Sequence, residues 1–225
     1  MYQTLWNQVD DYIAETIVAE NPYAQAALER CQKVGLAPYH VSAAQGKFLH
    51  LLAKIQGARK VLEIGALGGY SAIWLASALP KNGKLITMDS DAAHVDMTRA
   101  NLKSAGLDNI VEVRHGFALD LLPGIATENI APFDFFFIDA DKWNNAAYVD
   151  WALRMSRPGS IIIVDNTVRE GEIVNLDNKN PSIEGTRKLY EYVSQKKRLN
   201  ATALQTVGSK GYDGFVLAVV DQDSA

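Results

Sequence analysis

The sequence predicts an α/β fold: a mostly parallel, seven-stranded sheet with helices on both faces and an antiparallel last strand. Three observations predict it. From Lys60 onward, short apolar runs rich in β-branched residues alternate with stretches of helical periodicity, the pattern of a parallel sheet covered on both sides. A glycine-rich turn, Gly65 to Gly69, joins the first run to a helical stretch. Two final β-like runs are separated only by Val-Gly-Ser-Lys-Gly-Tyr-Asp, which is too short for a helical crossover, so this pair is antiparallel.

Each element has its own signature. Residues 2 to 34 place Leu5, Val9, Ile13 and Ile17 at helical spacing, break at Asn21-Pro22 and resume as a helical run from Tyr23 to Val34. Gly35 to Tyr39 connects these helices to Val41-Ser-Ala-Ala-Gln-Gly-Lys-Phe, where Ser42 is the expected N-cap of a helix leading into the sheet. Strands are then expected at 60–64, 84–89, 110–115, 133–138 and 160–165, with helices at 69–79, 92–105, 118–127 and 144–156 between them. An Asn-rich loop at 175–181 and a helix from Ile183 to about Lys197 precede the final strands, Ala201 to Thr206 and Gly214 to Val220. The expected organisation is one domain over residues 1–225, with a helical cap at 1–40 and the α/β core at 41–225.

Bulk properties narrow the function. With 225 residues, 48% of them hydrophobic, the chain can bury one large core. The net charge is −4 and the longest basic run is Lys196-Lys197-Arg198, so no footprint for nucleic acid or a membrane surface is present. Apolar windows such as Phe133 to Ile138 are too short to span a bilayer, and the N-terminal stretch carries Asp10, Asp11 and Glu15, unlike a signal sequence. A cytoplasmic protein with a small-molecule partner is expected. Cys31 is the sole cysteine, and His40, His50, His94 and His115 show no zinc-site spacing with it.

The stretch Lys60 to Ala78 reads as strand, glycine turn and helix. Gly65, Gly68 and Gly69 let the turn be tight and a ligand approach its backbone, an arrangement suited to a nucleotide or nucleotide-like cofactor and also found where nothing binds. Two acids strengthen the ligand reading. Asp89 ends the next strand, where such folds hold a ribose diol, although it is also placed, like Ser90 and Asp91, to cap the following helix. Glu63 stands within an apolar strand, where a carboxylate must be paired or hydrogen-bonded.

Ligands of open α/β sheets sit beyond the carboxyl ends of the strands. There the sequence puts Asp139-Ala-Asp141-Lys142 after one strand and Asp165-Asn166 after the next. Two carboxylates and an amide oxygen form a small set of hard donors suited to Mg²⁺, which keeps positions open for water or substrate. Capping for Asp141 and a turn for Asp165-Asn166 are the plain structural alternatives. Beside a divalent cation the ammonium form of Lys142 is disfavoured, which suits a general base; a solvated lysine at a helix start is the alternative.

Together, Val61 to Leu75, Asp89, Asp139-Ala-Asp-Lys142, Asp165-Asn166 and Asp213-Gly214 resemble the cation-dependent O-methyltransferases that use S-adenosylmethionine, the group containing catechol and caffeoyl-coenzyme A O-methyltransferases. The resemblance runs from about Val41 to the C-terminus and implies a Rossmann-like class I methyltransferase fold. It further implies that Glu63, Gly65, Ser71 and the turn backbone at Ala66 and Leu67 hold the methionine part of the cofactor. Asp89 would hold the ribose, and Gly116 to Ala118 would lie by the adenine. Val41 and Ser42 match the entry segment that touches the cofactor. Asp139, Asp165 and Asn166 match the ligands of Mg²⁺, or of another divalent cation such as Ca²⁺ or Mn²⁺, with Asp139 also beside the cofactor. Lys142 matches the catalytic base, the acceptor would be a small phenol or catechol, and a homodimer is expected.

Three positions depart from the family pattern. Asn145 replaces a tyrosine often found six residues after the first metal Asp, the nearest tyrosine being Tyr148. Val168 and Arg169 stand in the acceptor wall where an aromatic often follows the Asp-Asn pair. The acid common before the helix start is absent from Ser42-Ala-Ala-Gln45-Gly46. Rival readings are an NAD-dependent dehydrogenase, from whose Gly-x-Gly-x-x-Gly spacing this turn departs, and a non-catalytic module that keeps only the cofactor fold.

Overall fold

A computed structural model describes residues 2–18 and 21–222. Seven strands form one sheet: β1 (Lys60–Ile64), β2 (Lys84–Asp89), β3 (Val111–His115), β4 (Phe133–Ile138), β5 (Ser156–Asp165), β6 (Leu199–Gly208) and β7 (Gly211–Val220). Their order is β3-β2-β1-β4-β5-β7-β6. The first five are parallel, and β7 runs antiparallel to both β5 and β6. This is the class I methyltransferase arrangement expected from the sequence. Strand order reverses between β1 and β4, and at such a switch point the flanking connections leave to opposite faces and open a crevice.

Burial on both faces makes the centre of the sheet. Every residue of β4 is buried, and successive side chains alternate: Phe135 and Phe137 pack on one side with Val61, Leu85, Ile73 and Leu75, while Phe136 and Ile138 pack on the other with Leu62, Ile64, Ile86 and Leu189. Fully burying each such side chain contributes about 1.5–3 kcal/mol, so this strand anchors both layers. Asp134 is the exception in the run. Its carboxylate accepts from the amides of Arg59 and Lys60 and pairs with Arg157 at 2.7 Å, which satisfies the charge.

The helices are α1 (Tyr2–Ile13), α2 (Pro22–Lys33), α3 (Ala43–Gln56), α4 (Tyr70–Ala76), α5 (Ala92–Ser104), α6 (Ala118–Thr127), α7 (Asn145–Arg154) and α8 (Pro181–Gln195). Ser42 caps α3 as expected, accepting from Gln45 N at 3.2 Å. Asp91, not Asp89, caps α5. Asn21 caps α2 with Pro22 in the first turn, and Asn180 does the same for α8 with Pro181, starting that helix two residues before Ile183. A π-helical turn, Ala14–Val18, continues α1. That helix rests on the β6–β7 hairpin through Gln3 Nε2 to Gly208 O at 2.9 Å and Asp10 Oδ2 to Ser209 N at 2.7 Å.

Some boundaries differ from expectation; the helix expected at 69–79, for instance, is Tyr70–Ala76. β6 and β7 pair as far as Gly208 and Gly211, so the seven-residue connector read from the sequence is a two-residue turn, Ser209-Lys210, on a long hairpin. β5 begins at Ser156, four residues early, because a register shift lets Ser156 pair with Phe133 before the regular ladder starts at Ile161. The segment after Asn166, for which the sequence predicts no element, forms 3₁₀ turns at Arg169–Val174.

Candidate active site

Strand order lays the candidate residues in a row. Reading along the carboxyl edge of the sheet, Gly116 follows β3, Asp89 ends β2, Gly65 follows β1, Asp139 follows β4, Asp165 ends β5, and Tyr212 and Asp213 open β7. A cleft of about 1310 Å³ runs over this edge. Its walls include Val41, Gly65, Ala66, Leu67, Ser71, Asp89, Gly116, Ala118, Asp139, Lys142, Asp165 and Asn166, residues spread over more than a hundred positions of sequence.

The turn after β1 is held from several sides. Gly65 N donates to Met88 O at 3.0 Å and Asp139 N to Ile64 O at 2.8 Å, which draws the ends of β1, β2 and β4 together. Gly65 has φ +101, and a Cβ there would lie 2.1 Å from the Asp139 carbonyl oxygen, so only glycine lets these strand ends touch. Oδ2 of Asp89 accepts from the amides of Ala66 at 3.2 Å and Leu67 at 2.8 Å; Oδ1 accepts from Asp91 N at 3.0 Å and faces His94 Nδ1 at 3.3 Å. Asp89 therefore fixes the turn as well as facing the cleft. The amides of Ala66 and Leu67, expected to face a ligand, are turned onto this carboxylate.

Glu63 lies behind the cleft wall and is 0% exposed. Neither of its carboxylate oxygens has a hydrogen-bond partner of good geometry, and the hydroxyl of Thr87, opposite it on β2, also lacks one. Burial pushes Glu63 up to about 7; the nearby Ser71 and Thr87 hydroxyls oppose that rise, and the charges of Asp139 and Asp89 add to it. An ammonium-bearing ligand fits such an unpaired acid, because it would supply both the donors and the opposite charge.

At the ends of β4 and β5 the charges are crowded. Lys142 is 8% exposed and donates from Nζ to Asp139 Oδ1 at 2.7 Å. Asp165 is 4% exposed; burial, then the charge of Asp139, raises its pKa, against the pull of Lys142, the Asn166 amide at 2.8 Å and Gln45 Nε2 at 2.7 Å. Asn166 sits in the left-handed region at φ +57, a conformation asparagine tolerates. Two acids, one of them driven toward protonation by burial and then by the other's charge, are groups of the kind a hard cation takes. Among the described residues no group of three or more His, Cys, Asp or Glu is placed to hold a metal.

Residues 14–219 match a protein family described as O-methyltransferase. The chain belongs to this O-methyltransferase family. Family membership brings the reaction class, O-methylation dependent on S-adenosylmethionine. A catechol O-methyltransferase of Niastella koreensis is 42% identical over 220 residues, covering 98% of this chain and 100% of that one. An O-methyltransferase from Bacillus cereus, solved in complex with SAH, is 49% identical with a TM-score of 0.95, covering 97% of this chain and 100% of its own. The O-methyltransferase TomG from Streptomyces achromogenes, solved in complex with SAM, is 42% identical with a TM-score of 0.95, covering 99% and 100%.

Several residues of this O-methyltransferase escape sequence reasoning. Gln45 reaches Asp165 from α3, across 120 positions. Tyr148 donates to Asp141, so Asp141 is tied to α7 rather than capping through its side chain; burial, then that carboxylate, raises the tyrosine pKa. Lys210, at the hairpin tip, donates to Pro38 O at 3.0 Å and approaches His40 Nε2 at 3.3 Å, bridging the cleft.

Proposed function

We propose that this O-methyltransferase methylates a hydroxyl of a small aromatic acceptor bearing vicinal hydroxyls. A divalent cation, Mg²⁺ or else Ca²⁺ or Mn²⁺, is held by Asp139, Asp165 and Asn166. The observation that carries the reading is the pairing of two crowded acids on adjacent strand ends with the buried amine of Lys142. When bound, the cofactor supplies an electrophilic methyl and the cation supplies positive charge beside the acceptor oxygens.

The chain's own residues do the rest. Lys142 takes the proton from the acceptor hydroxyl onto Nζ, and Gln45 holds Asp165 in place. Gly65 and Ser71 line the place of the cofactor's ammonium end, and Glu63 behind them supplies the negative charge that favours it. Asp89 accepts from the ribose, Gly116 and Ala118 flank the adenine, and Val41 closes the entry side. The cleft walls would hold acceptor and cofactor against each other, and positioning of this kind can account for much of a barrier reduction. Membership in this family leaves no place for hydride transfer from NAD.

The reading includes a cytoplasmic homodimer, supported by Leu5, Tyr12 and Ile17, exposed apolar side chains that a second copy would cover. No helix among the described residues is long and apolar enough to cross a membrane.

The experiment is a turnover assay over catechols with chelator and added metals, beside calorimetry with S-adenosylhomocysteine and NAD. Turnover should vanish with chelator and return with Mg²⁺, and only S-adenosylhomocysteine should bind. Full turnover in excess chelator would refute the cation.

A further inference from the structure

We propose that Arg169 and Lys210 bind a carboxylate on the far end of the acceptor, so that the preferred substrates are dihydroxyaromatic acids rather than neutral catechols. The inference rests on the function proposed above and narrows its substrate class.

Arg169 follows Asn166 by three residues and lines the same cleft. It and Glu170 occupy the left-handed region at φ +55 and +57, a conformation disfavoured for residues with long side chains. Asp213, at the start of β7, enforces it: Oδ1 accepts from the amides of Val168 at 2.9 Å and Arg169 at 2.8 Å. Strain maintained in this way marks a side chain whose direction matters.

The guanidinium is only loosely paired, with Nη1 3.6 Å from Asp213 Oδ2, and its buried Nε has no hydrogen-bond partner. A buried donor without an acceptor is costly, and a carboxylate accepts from Nε and Nη together in a bidentate pair. Lys210 brings a second positive charge to the cleft. Its contacts are the Pro38 carbonyl and His40 Nε2, both neutral acceptors, since His40 Nδ1 donates to Val41 O and burial lowers the histidine pKa. Among the described residues, no carboxylate lies within ion-pairing distance of Lys210.

Glu170, Glu29 and Lys210 line the cleft as exposed side chains that solvent and salt screen, whereas Arg169 is part-buried, so the guanidinium carries the larger share of the attraction. The placement along the sheet fits an aromatic acid. β7 is the next strand beyond β5, Lys210 stands in the turn just before it, and Arg169 is tied to it through the Asp213 carboxylate. Hydroxyls held at Asp139 and Asp165 would share the cleft with Arg169 and Lys210, which line it on the β7 side.

The test compares 3,4-dihydroxybenzoate and caffeate with catechol and with caffeoyl-coenzyme A, whose carboxyl is esterified and whose charge is on phosphates. Wild type, Arg169→Leu, Arg169→Lys and Lys210→Met are assayed, with S-adenosylhomocysteine calorimetry as the check on folding. We expect the free acids to be preferred over catechol and the thioester. Arg169→Leu and Lys210→Met should each raise KM for the acids by on the order of 10-fold more than for catechol, the loss expected for one charge-assisted hydrogen bond, with Arg169→Lys intermediate. Should Arg169→Leu fail to bind S-adenosylhomocysteine, Lys210→Met decides alone. Equal losses for acid and catechol, or a wild-type preference for catechol or the thioester, would overturn the inference. Methylation of none of the four would overturn the proposed function and the inference with it.

Discussion

Lys142 Nζ donates to Asp139 Oδ1 at 2.7 Å, so the proposed base and a proposed metal ligand neutralise each other across one turn of chain. Burying a lone ammonium is expensive, and this contact is what makes Lys142 tolerable at 8% exposure. A cation arriving at Asp139 would compete with Nζ for the same carboxylate.

Lys142→Ala should therefore cut turnover by ~10²- to 10⁴-fold at neutral pH without weakening metal binding. The variant should recover as pH rises toward the acceptor's own pKa, because phenolate needs no base. A pH–rate profile with saturating cofactor and metal, beside a Mn²⁺ titration, checks both parts. A variant within a few-fold of wild type at neutral pH would leave the cation as sole activator.

Glu63 connects stability to pH. In an unfolded chain it titrates near 4.5, and in the fold at about 7. Between those values the folded state holds the extra proton, so the contribution of Glu63 to stability falls as pH rises through this window and is most unfavourable above it. Glu63→Gln removes the penalty: the cofactor-free variant should be more stable than wild type at pH 8, by at most about 3 kcal/mol, and closely matched to it at pH 4. It should also bind S-adenosylhomocysteine more weakly. Thermal unfolding at the two pH values decides the first point, and an equal difference at both would refute the buried-acid account.

Gln45 supports Asp165 from outside the proposed ligand set. Gln45→Leu should raise the Mg²⁺ concentration needed for half-maximal activity by ~10- to 100-fold while largely preserving the rate at saturating metal. Metal-dependence curves for the two proteins make the comparison. An unchanged curve would show that the 2.7 Å contact is incidental.

The legible part of this molecule is the part that alternates. β1 to β5 are short apolar runs divided by helical periodicity, and the acids that matter sit where those runs stop. β6 was less legible because, apart from Leu199, its side chains are not buried, so no hydrophobic alternation marks its length. Pairing with β7 extends it through Gly208, which a sequence reading takes for a turn. Gln45 to Asp165 and Lys210 to Pro38 are contacts between distant segments and leave no local pattern. The left-handed residues at Arg169 and Glu170 were unforeseen for a different reason: local preference argues against them, and a distant carboxylate, Asp213, overrules it.

The arrangement of strands also bears on how such a protein changes over generations. Donor contacts sit on the ends of strands buried on both faces, where a substitution disturbs two packed layers at once. Lys210, Tyr212 and Asp213, at the turn of the outlying hairpin and the first residues of β7, line the acceptor end of the cleft, and the outer strand of that hairpin is largely exposed. Replacements at that turn would therefore alter the acceptor end of the cleft with less disturbance of the packed layers than replacements at the buried strand ends.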